Sequence, residues 1–462
     1  MVRFGCWTLT LLLTGCIASP RVDVAGDIAR ISGDENAITI RSEPDAETES
    51  SVAMPSLSRA QAIRLALEHD PRIQSAVAQV RAAEAEAQQN RLLPNPILNL
   101  DLRFPESGGP KIFEATLTGD LIAVLSMPGR VKAADQRLRA ATADMLSAVL
   151  DVLAEVQDGY VSTQAAGAEA SILEDRTRIL HQLRDLANNR LAAGEGIRLD
   201  VLTLDAQLLQ LELEISDKRQ EQTELRLALA RMIGQPRGEI DWEVDPWQLP
   251  PAVGGSQAAW IDSALANRPE IQSHAWELAA LGEEVKLASL APFEGGEIGA
   301  HGEHDQNWAV GPTVTTPLPI FDFGQASRAK AAALRNAAFH ELARQRQQVV
   351  EEVRRAYTGY AAARSSLDAA EKRLLPLQEQ QRAQAEQAYR NGESDLTTLL
   401  LADSELQDTH ARIIQMQQKL TQAVIRLERA AGGANASAGL ERAAPTTEPA
   451  TTHSAGTTGS DQ

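Results

Sequence analysis

Cysteine is nearly absent. The 462 residues hold two, Cys6 and Cys16, both close to the N-terminus, so no disulfide framework is available. Aromatic residues are scarce: six Trp, four Tyr and seven Phe make 4 % of the chain and leave few bulky side chains for a large globular core. Positive charge is in deficit. Against 63 Asp and Glu stand 44 Lys and Arg, a net charge of −19, whereas a nucleic-acid binder needs a basic face to displace counterions from phosphate. No glycine-rich phosphate loop and no paired cysteines occur, and the His, Asp and Ser residues stand in no catalytic motif, so no enzyme site is expected. What abounds is Ala, Leu, Gln, Glu and Arg, a bias toward long helices packed through small residues.

The N-terminus reads as an address. Arg3 supplies a positive start, and Leu9, Leu11, Leu12 and Leu13 a short apolar run. At roughly ten residues it cannot span a bilayer, which needs about 20, and it reads as a cleaved signal over 1–15. It ends in Leu13-Thr14-Gly15-Cys16, which resembles the bacterial lipobox; an ordinary secretory signal with an incidental Cys is the alternative. Cys6 would leave with the signal and Cys16 would carry lipid, the one covalent group expected and the only cofactor-like one. Ile17 stands where an Asp would retain the chain at the inner membrane, which favours the outer membrane. Residues 16–56 mix acids, Ser and Pro and read as a lipidated flexible tether; 434–462, rich in Ala, Thr, Ser and Gly, read as a disordered tail.

The body repeats itself. Ala66-Leu67 followed by Pro71-Arg72-Ile73-Gln74-Ser75 recurs 198 residues on as Ala264-Leu265 followed by Pro269-Glu270-Ile271-Gln272-Ser273. Gly194, Leu202, Asp205 and Leu208 recur at the same offset as Gly392, Leu400, Asp403 and Leu406. Glu155, Val156 and Tyr160 recur at 197 as Glu352, Val353 and Tyr357. The chain therefore divides into a first structural repeat over 57–235, a linker over 236–257 and a second repeat over 258–433.

Each repeat reads helix, two strands, very long helix, tight turn, long helix. Helix is expected over 58–93, broken near Asp70-Pro71, with Pro94 and Pro96 ending it. Then residues alternate: Leu98, Leu100, Leu102 and Phe104 against Asn99, Asp101 and Arg103, and, beyond a turn over 106–110, Phe113, Ala115, Leu117, Leu121, Ala123 and Leu125 against Glu114, Thr116, Thr118 and Asp120. The second repeat sets Ile298, Ala300 and Gly302 against Glu297, Gly299, His301 and Glu303. After a turn over 305–307, Val310, Val314, Thr316 and Leu318 oppose Ala309, Thr313 and Thr315. From 130 to about 191 there is no Pro, which gives roughly 90 Å of helix. Its counterpart over 325–390 carries Pro376, an expected kink. A water-soluble hairpin capping a helical bundle is the alternative, but nothing compact needs such rods. Four strands cannot close a barrel in lipid, whereas three copies supply twelve.

These features together resemble the outer-membrane efflux duct family, the TolC/OprM-like outer membrane factors, over roughly 57–432. Val310-Gly311-Pro312 and the run from Pro317 through Ile320, Phe321 and Phe323 to Gly324 look like its passage from strand to helix. Arg190, Gly194 and Asp200-Val201-Leu202, and later Tyr389, Gly392 and Leu399-Leu400, look like its periplasmic hairpin tips. The lipobox resembles the lipidated members, and the short body the heavy-metal efflux (CzcC-like) branch. The resemblance implies a mainly α chain with a small β part, a homotrimeric twelve-stranded barrel continued by a periplasmic α-barrel, and docking to a periplasmic adaptor and an inner-membrane RND-type pump.

The function implied is the exit duct of a tripartite efflux system, with heavy-metal cations as one cargo class. A type I protein-secretion duct and a non-channel coiled-coil lipoprotein scaffold are the alternatives. Gly194, Asp200, Leu202, Gly392 and Leu400 are the expected docking residues. The gate carboxylates of TolC align with Thr398 and Leu401, so that gate does not transfer; a constriction at Leu401 and Thr398 with Asp395 at its mouth is expected instead. His301, Glu303 and His304 are weighed as a metal contact and read as a solvated loop, because on a strand His304 would point away from the other two.

Overall fold

The computed structural model describes residues 22–32, 56–104, 111–235, 240, 242–250, 252–304 and 307–433. Cys16 and the tail over 434–462 lie outside the described residues. The chain is mainly helical. Its elements are α1 (Val24–Ser32), β1 (Ser56–Leu57), α2 (Arg59–His69), α3 (Pro71–Gln89), β2 (Ile97–Arg103), β3 (Ile112–Asp120), α4 (Leu121–Ala192), α5 (Arg198–Met232), β4 (Glu243–Val244), α6 (Gln257–Asn267), α7 (Pro269–Leu287), β5 (Glu297–His304), β6 (Trp308–Thr315), α8 (Gln325–Ala369), α9 (Leu375–Arg390) and α10 (Leu396–Ala431). A π-turn, Ala370–Leu374, joins α8 to α9.

The expected break at Asp70-Pro71 is present. Asp70 ends α2 and caps α3, its carboxylate accepting the Arg72 N–H at 2.8 Å, and Pro71 takes the first helical position, where a missing N–H costs nothing. The long rods are also present. The 72 residues of α4 run for about 108 Å. No helix among the described residues is long and apolar enough to cross a membrane.

Four expectations are corrected. First, Leu121, Ala123 and Leu125 are helical, not strand: the Asp120 carboxylate accepts the Ala123 N–H at 2.8 Å and starts α4 there, and the apolar alternation runs on by coincidence. Pro128 lies inside the second turn, where Arg130 donates to the Ala123 carbonyl. Second, part of the expected tether is a helix. Val24, Ile28 and Ile31 fall at i, i+4 and i+7, and this stripe packs α1 onto the core around α3 and α4, burying Ile28 completely. Third, β6 stops at Thr315, so Thr316 and Leu318 lie beyond the strand. Fourth, His301, Glu303 and His304 belong to strand β5 rather than to a loop.

Pro376 produces a π-turn rather than a simple kink. Offsets between the repeats change from 197 at Tyr160/Tyr357 to 198 at Arg184/Arg382, so the second repeat carries one extra residue in between. A π-turn is the form in which a helix absorbs such an insertion while keeping both flanks in phase. Ala370–Leu374 sits inside that interval, two residues before Pro376, which cannot donate a backbone hydrogen bond.

The sheet order is β2-β3-β5-β6, antiparallel throughout. The helices continue this order: α3 packs on α4, α4 on α7 and α7 on α8. Further from the sheet α5 packs on α4, α4 on α10 and α10 on α9. The linker region does more than connect. β4 pairs in parallel with β1, and Tyr160 on α4 donates to the Leu57 carbonyl at 2.9 Å while accepting the Asp245 N–H at 3.1 Å. Tyr360 on α8 receives the Val253 N–H at 3.0 Å in the same manner. Two tyrosines thus fasten the middle segments to the rods.

Candidate functional site

The sheet separates its chemistry by face. In register, Leu98, Leu100 and Leu102 of β2 oppose Leu117, Ala115 and Phe113 of β3, and these in turn oppose Ala300, Gly302 and His304 of β5. Those three face Pro312, Val310 and Trp308 of β6. This face is almost wholly apolar and exposed; Leu98, Leu100 and Leu102 each show more than half their surface, as does Val310. The opposite face carries Asn99, Asp101 and Arg103, then Glu114 and Thr116, then His301 and Glu303. Glu114 lies opposite Glu303, and Arg103 pairs with Glu114 at 2.9 Å to offset the like charges.

The few aromatics gather at the two ends of the apolar face. Phe104, Phe113 and Trp308 sit at the end away from the helices, with the Phe113 and Trp308 rings edge to face at 6.4 Å. Phe293, Phe321 and Phe323 stand at the end where the strands meet the helices, and Phe321 is 92 % exposed. Five of the seven phenylalanines thus frame one band, the pattern of a wall whose rims lie at lipid–water boundaries. Among the described residues, both outer strands, β2 and β6, keep an unpaired edge. Pro312 lies on the edge strand β6, where a missing N–H is tolerated.

His301 shares its face with Glu303, and its Nδ1 lies 2.8 Å from the Thr116 hydroxyl. His304 turns to the other face and packs on the Trp308 ring. The three side chains do not converge, and no His, Cys, Asp and Glu cluster fit for a metal occurs among the described residues.

Where α7 begins and α10 ends lies a buried ionic node. Glu270, at the start of α7, accepts from Arg268 at 3.0 Å, from Arg429 of α10 at 2.7 Å and from the Ser147 hydroxyl of α4 at 2.9 Å. Arg268 also reaches Glu352 of α8, and Arg429 reaches Asp151 of α4 at 2.7 Å. Burial disfavours the Glu270 charge, but the two arginines outweigh it and hold the carboxyl at about 2. Four rods are tied at one level.

At the far ends, Gly194 and Gly392 turn the hairpins with φ of 78° and 76°, the left-handed conformation open to glycine. Glu195 N–H bonds back to the Arg190 carbonyl, and Glu393 N–H to that of Ala388. Gly196 serves differently: a Cβ there would stand 2.9 Å from the Leu191 nitrogen. Asp200 lies in the first turn of α5, favourable to the helix dipole, and Leu202 is exposed. Leu400 is turned inward, 8 % exposed within the core of the two hairpins, so of the expected docking residues it presents nothing to a partner. Sequence periodicity places Leu399, Leu400 and Leu401 in one run without saying which faces out; Leu401 does, at 59 % exposure.

Asp395 caps α10, accepting the Thr398 N–H at 2.9 Å and its hydroxyl at 2.6 Å, bonds that hold its carboxyl below the usual range. One contact escaped sequence reasoning. The Arg190 guanidinium lies 4.7 Å from the centre of the Tyr389 ring and donates to the Tyr389 carbonyl at 2.9 Å, joining the two tips. Both residues stood out as tip residues, but nothing in their spacing pairs them.

The sequence model described as outer membrane efflux protein matches residues 62–235 and 260–433, one match per repeat. Among solved structures, the outer-membrane channel OprN aligns with a TM-score of 0.67 at 20 % identity, over 86 % of this chain and 99 % of that one. The outer membrane protein VceC of Vibrio cholerae aligns with a TM-score of 0.67 at 18 % identity, over 81 % and 96 %. The open MtrE outer membrane channel of Neisseria gonorrhoeae gives 0.65 at 19 %, over 86 % and 96 %. No curated protein sequence matches the chain.

Proposed function

Since the chain belongs to the outer membrane efflux protein family, we propose that it is the outer-membrane exit duct of a tripartite efflux system, working as a homotrimer. One observation carries this reading: a four-stranded sheet with one apolar, aromatic-rimmed face and two unpaired edges, continued by rods about 100 Å long. Open edges are not tolerated in lipid. Pairing β6 of one copy with β2 of the next closes a twelve-stranded wall after three copies, with Leu100 and its neighbours toward lipid and Asp101, Glu114 and Glu303 toward the bore. The helices then continue the wall into the periplasm.

The hairpin tips, with Gly194, Asp200, Leu202 and Gly392, dock a periplasmic adaptor, which joins the duct to an inner-membrane RND-type pump. Leu401, exposed beside the capped Asp395–Thr398 turn, narrows the periplasmic end, since an apolar ring excludes water and ions without charge. Cys16 carries lipid and adds an anchor to the outer membrane. Heavy-metal cations are the proposed cargo, consistent with a bore face bearing carboxylates; growth of a deletion strain on metals against drugs decides between cargo classes. The duct itself is tested by planar-bilayer recording with mass measurement in detergent. Stepwise conductance from a particle of three chains is expected. A monomer without conductance refutes the duct and favours a scaffold.

A further inference from the structure

Inside the chain, one hairpin already packs on the other. α10 of the second repeat lies against α4 of the first. Arg176 of α4 reaches the Ser404 hydroxyl at 3.4 Å and faces Asp403, which is 2 % exposed and approached by Arg382 at 3.5 Å. Gln418 bonds Ser162 further along the same seam at 3.2 Å. The repeat supplies each side of this seam a second time, and those second faces are bare. Counterparts on α5 of Leu400 and Gln407, which are 8 % and 7 % exposed, are Leu202 and Leu209, which are 53 % and 64 % exposed. The Arg382–Asp403 pair recurs as Arg184–Asp205, at 2.7 Å but with 40 % of each side chain in the open. On the other side, Arg176 corresponds at the 197 offset to Arg373 of the π-turn, which is exposed and has no ion pair among the described residues.

We propose that α5 of one copy packs against the α8–α9 junction of the next copy in the register that α10 keeps against α4, setting Arg373 against Asp205 and Ala206 as Arg176 is set against Asp403 and Ser404. This rests on the trimeric duct reading and deepens it. Charge complements across the seam, with an unpaired guanidinium on one side and an Asp half open to water on the other. The apolar stripe of Leu202, Leu209 and Leu213, at i, i+7 and i+11, is the surface that such a contact would cover. The helix orders α3-α4-α7-α8 and α5-α4-α10-α9 put α5 on the β2 side and α8–α9 on the β6 side, the two sides where the proposed barrel sets its neighbours.

Cysteine pairs read by a short bismaleimide test the register in the full-length protein extracted in detergent. Arg373→Cys with Ala206→Cys should link chains into species of two and three masses. Arg176→Cys with Ser404→Cys, the internal counterpart, should link only within one chain, and each single variant, which controls for Cys6 and Cys16, should link nothing. Arg373→Glu should lower the temperature at which the oligomer dissociates, and Arg373→Lys should leave it near wild type. If native mass measurement gives three chains and the internal pair reacts while the Arg373/Ala206 pair gives no interchain link, the register is wrong although the duct stands. If the wild-type chain is a monomer throughout, the duct reading falls and this seam falls with it.

Discussion

Acid should loosen the molecule through Glu270. Its carboxyl is held at about 2 against an ordinary 4.5, and its side chain is only 17 % exposed. A group whose pKa is depressed by folding stabilises the fold fully above the unfolded value and loses that contribution as the pH falls through the folded one. The window is therefore pH 4.5 down to about 2. A difference of about 2.5 pH units corresponds to roughly 3 kcal/mol per chain. Glu270→Gln should remove that component and cost about 3 kcal/mol at neutral pH, the lower end for breaking a buried pair, because Arg268 keeps Glu352 and Arg429 keeps Asp151. The assay is thermal melting followed by helical circular dichroism between pH 2 and 7, read as wild type minus variant so that exposed carboxylates cancel. The gap should be wide at pH 7 and close toward pH 2. A variant that melts with wild type at pH 7 and shows the same acid decline would refute the assignment of this node.

Leu100→Arg should reduce the yield of heat-stable oligomer far more than Asn99→Arg, since a charge on the lipid face near midplane costs about 2–4 kcal/mol and one toward the bore costs little; equal yields would contradict the face assignment. Asp395→Ala should cost about 1 kcal/mol through the lost cap, while Asp395→Asn keeps the cap and lowers cation preference in single-channel recording. Leu401→Ser should raise conductance with the oligomer intact; a weaker oligomer and unchanged conductance would make it a packing residue. Cys16→Ala should abolish metabolic labelling with fatty acid and only partly release the protein from membranes.

Much of this architecture was legible because it rests on period and punctuation. The alternation from Leu98 to Phe104 fixes a face by itself, and the Asp-Pro step at 70–71 fixes a helix boundary by its own chemistry. What escaped is decided by contacts. Leu121, Ala123 and Leu125 continue the strand pattern, and only the Asp120 carboxylate, bonded to the Ala123 N–H, shows that the backbone has already turned. The stripe of Val24, Ile28 and Ile31 is short and set among polar residues, and it becomes a helix because α4 offers a surface to cover it. Leu400 and Leu401 are adjacent and chemically identical; only the neighbouring hairpin makes one of them core.

At the level of Glu270, charge was not duplicated as shape was. Where the first repeat has Asp70 and Arg72, the second has Arg268 and Glu270, with the signs exchanged. Both arginines still reach the corresponding glutamate, Arg72 to Glu155 and Arg268 to Glu352. The exchange leaves a carboxylate at 270 that can receive Arg429, which also binds Asp151. The counterpart of Arg429 in the first repeat is Arg231, exposed and without an ion pair among the described residues. The position matching Glu270 is Arg72, and the position matching Asp151 is Gln348, so Arg231 finds no carboxylate at either. The α10–α4 seam is thus tied by charge where α10 ends, and the matching positions Arg231, Arg72 and Gln348 hold no such tie. In the proposed trimer, cohesion between copies would then come from the strand edges and from the proposed Arg373–Asp205 level. Protonating Glu270 should therefore loosen the tie between the two repeats of one chain, because Arg268 and Arg429 lose the carboxylate they share.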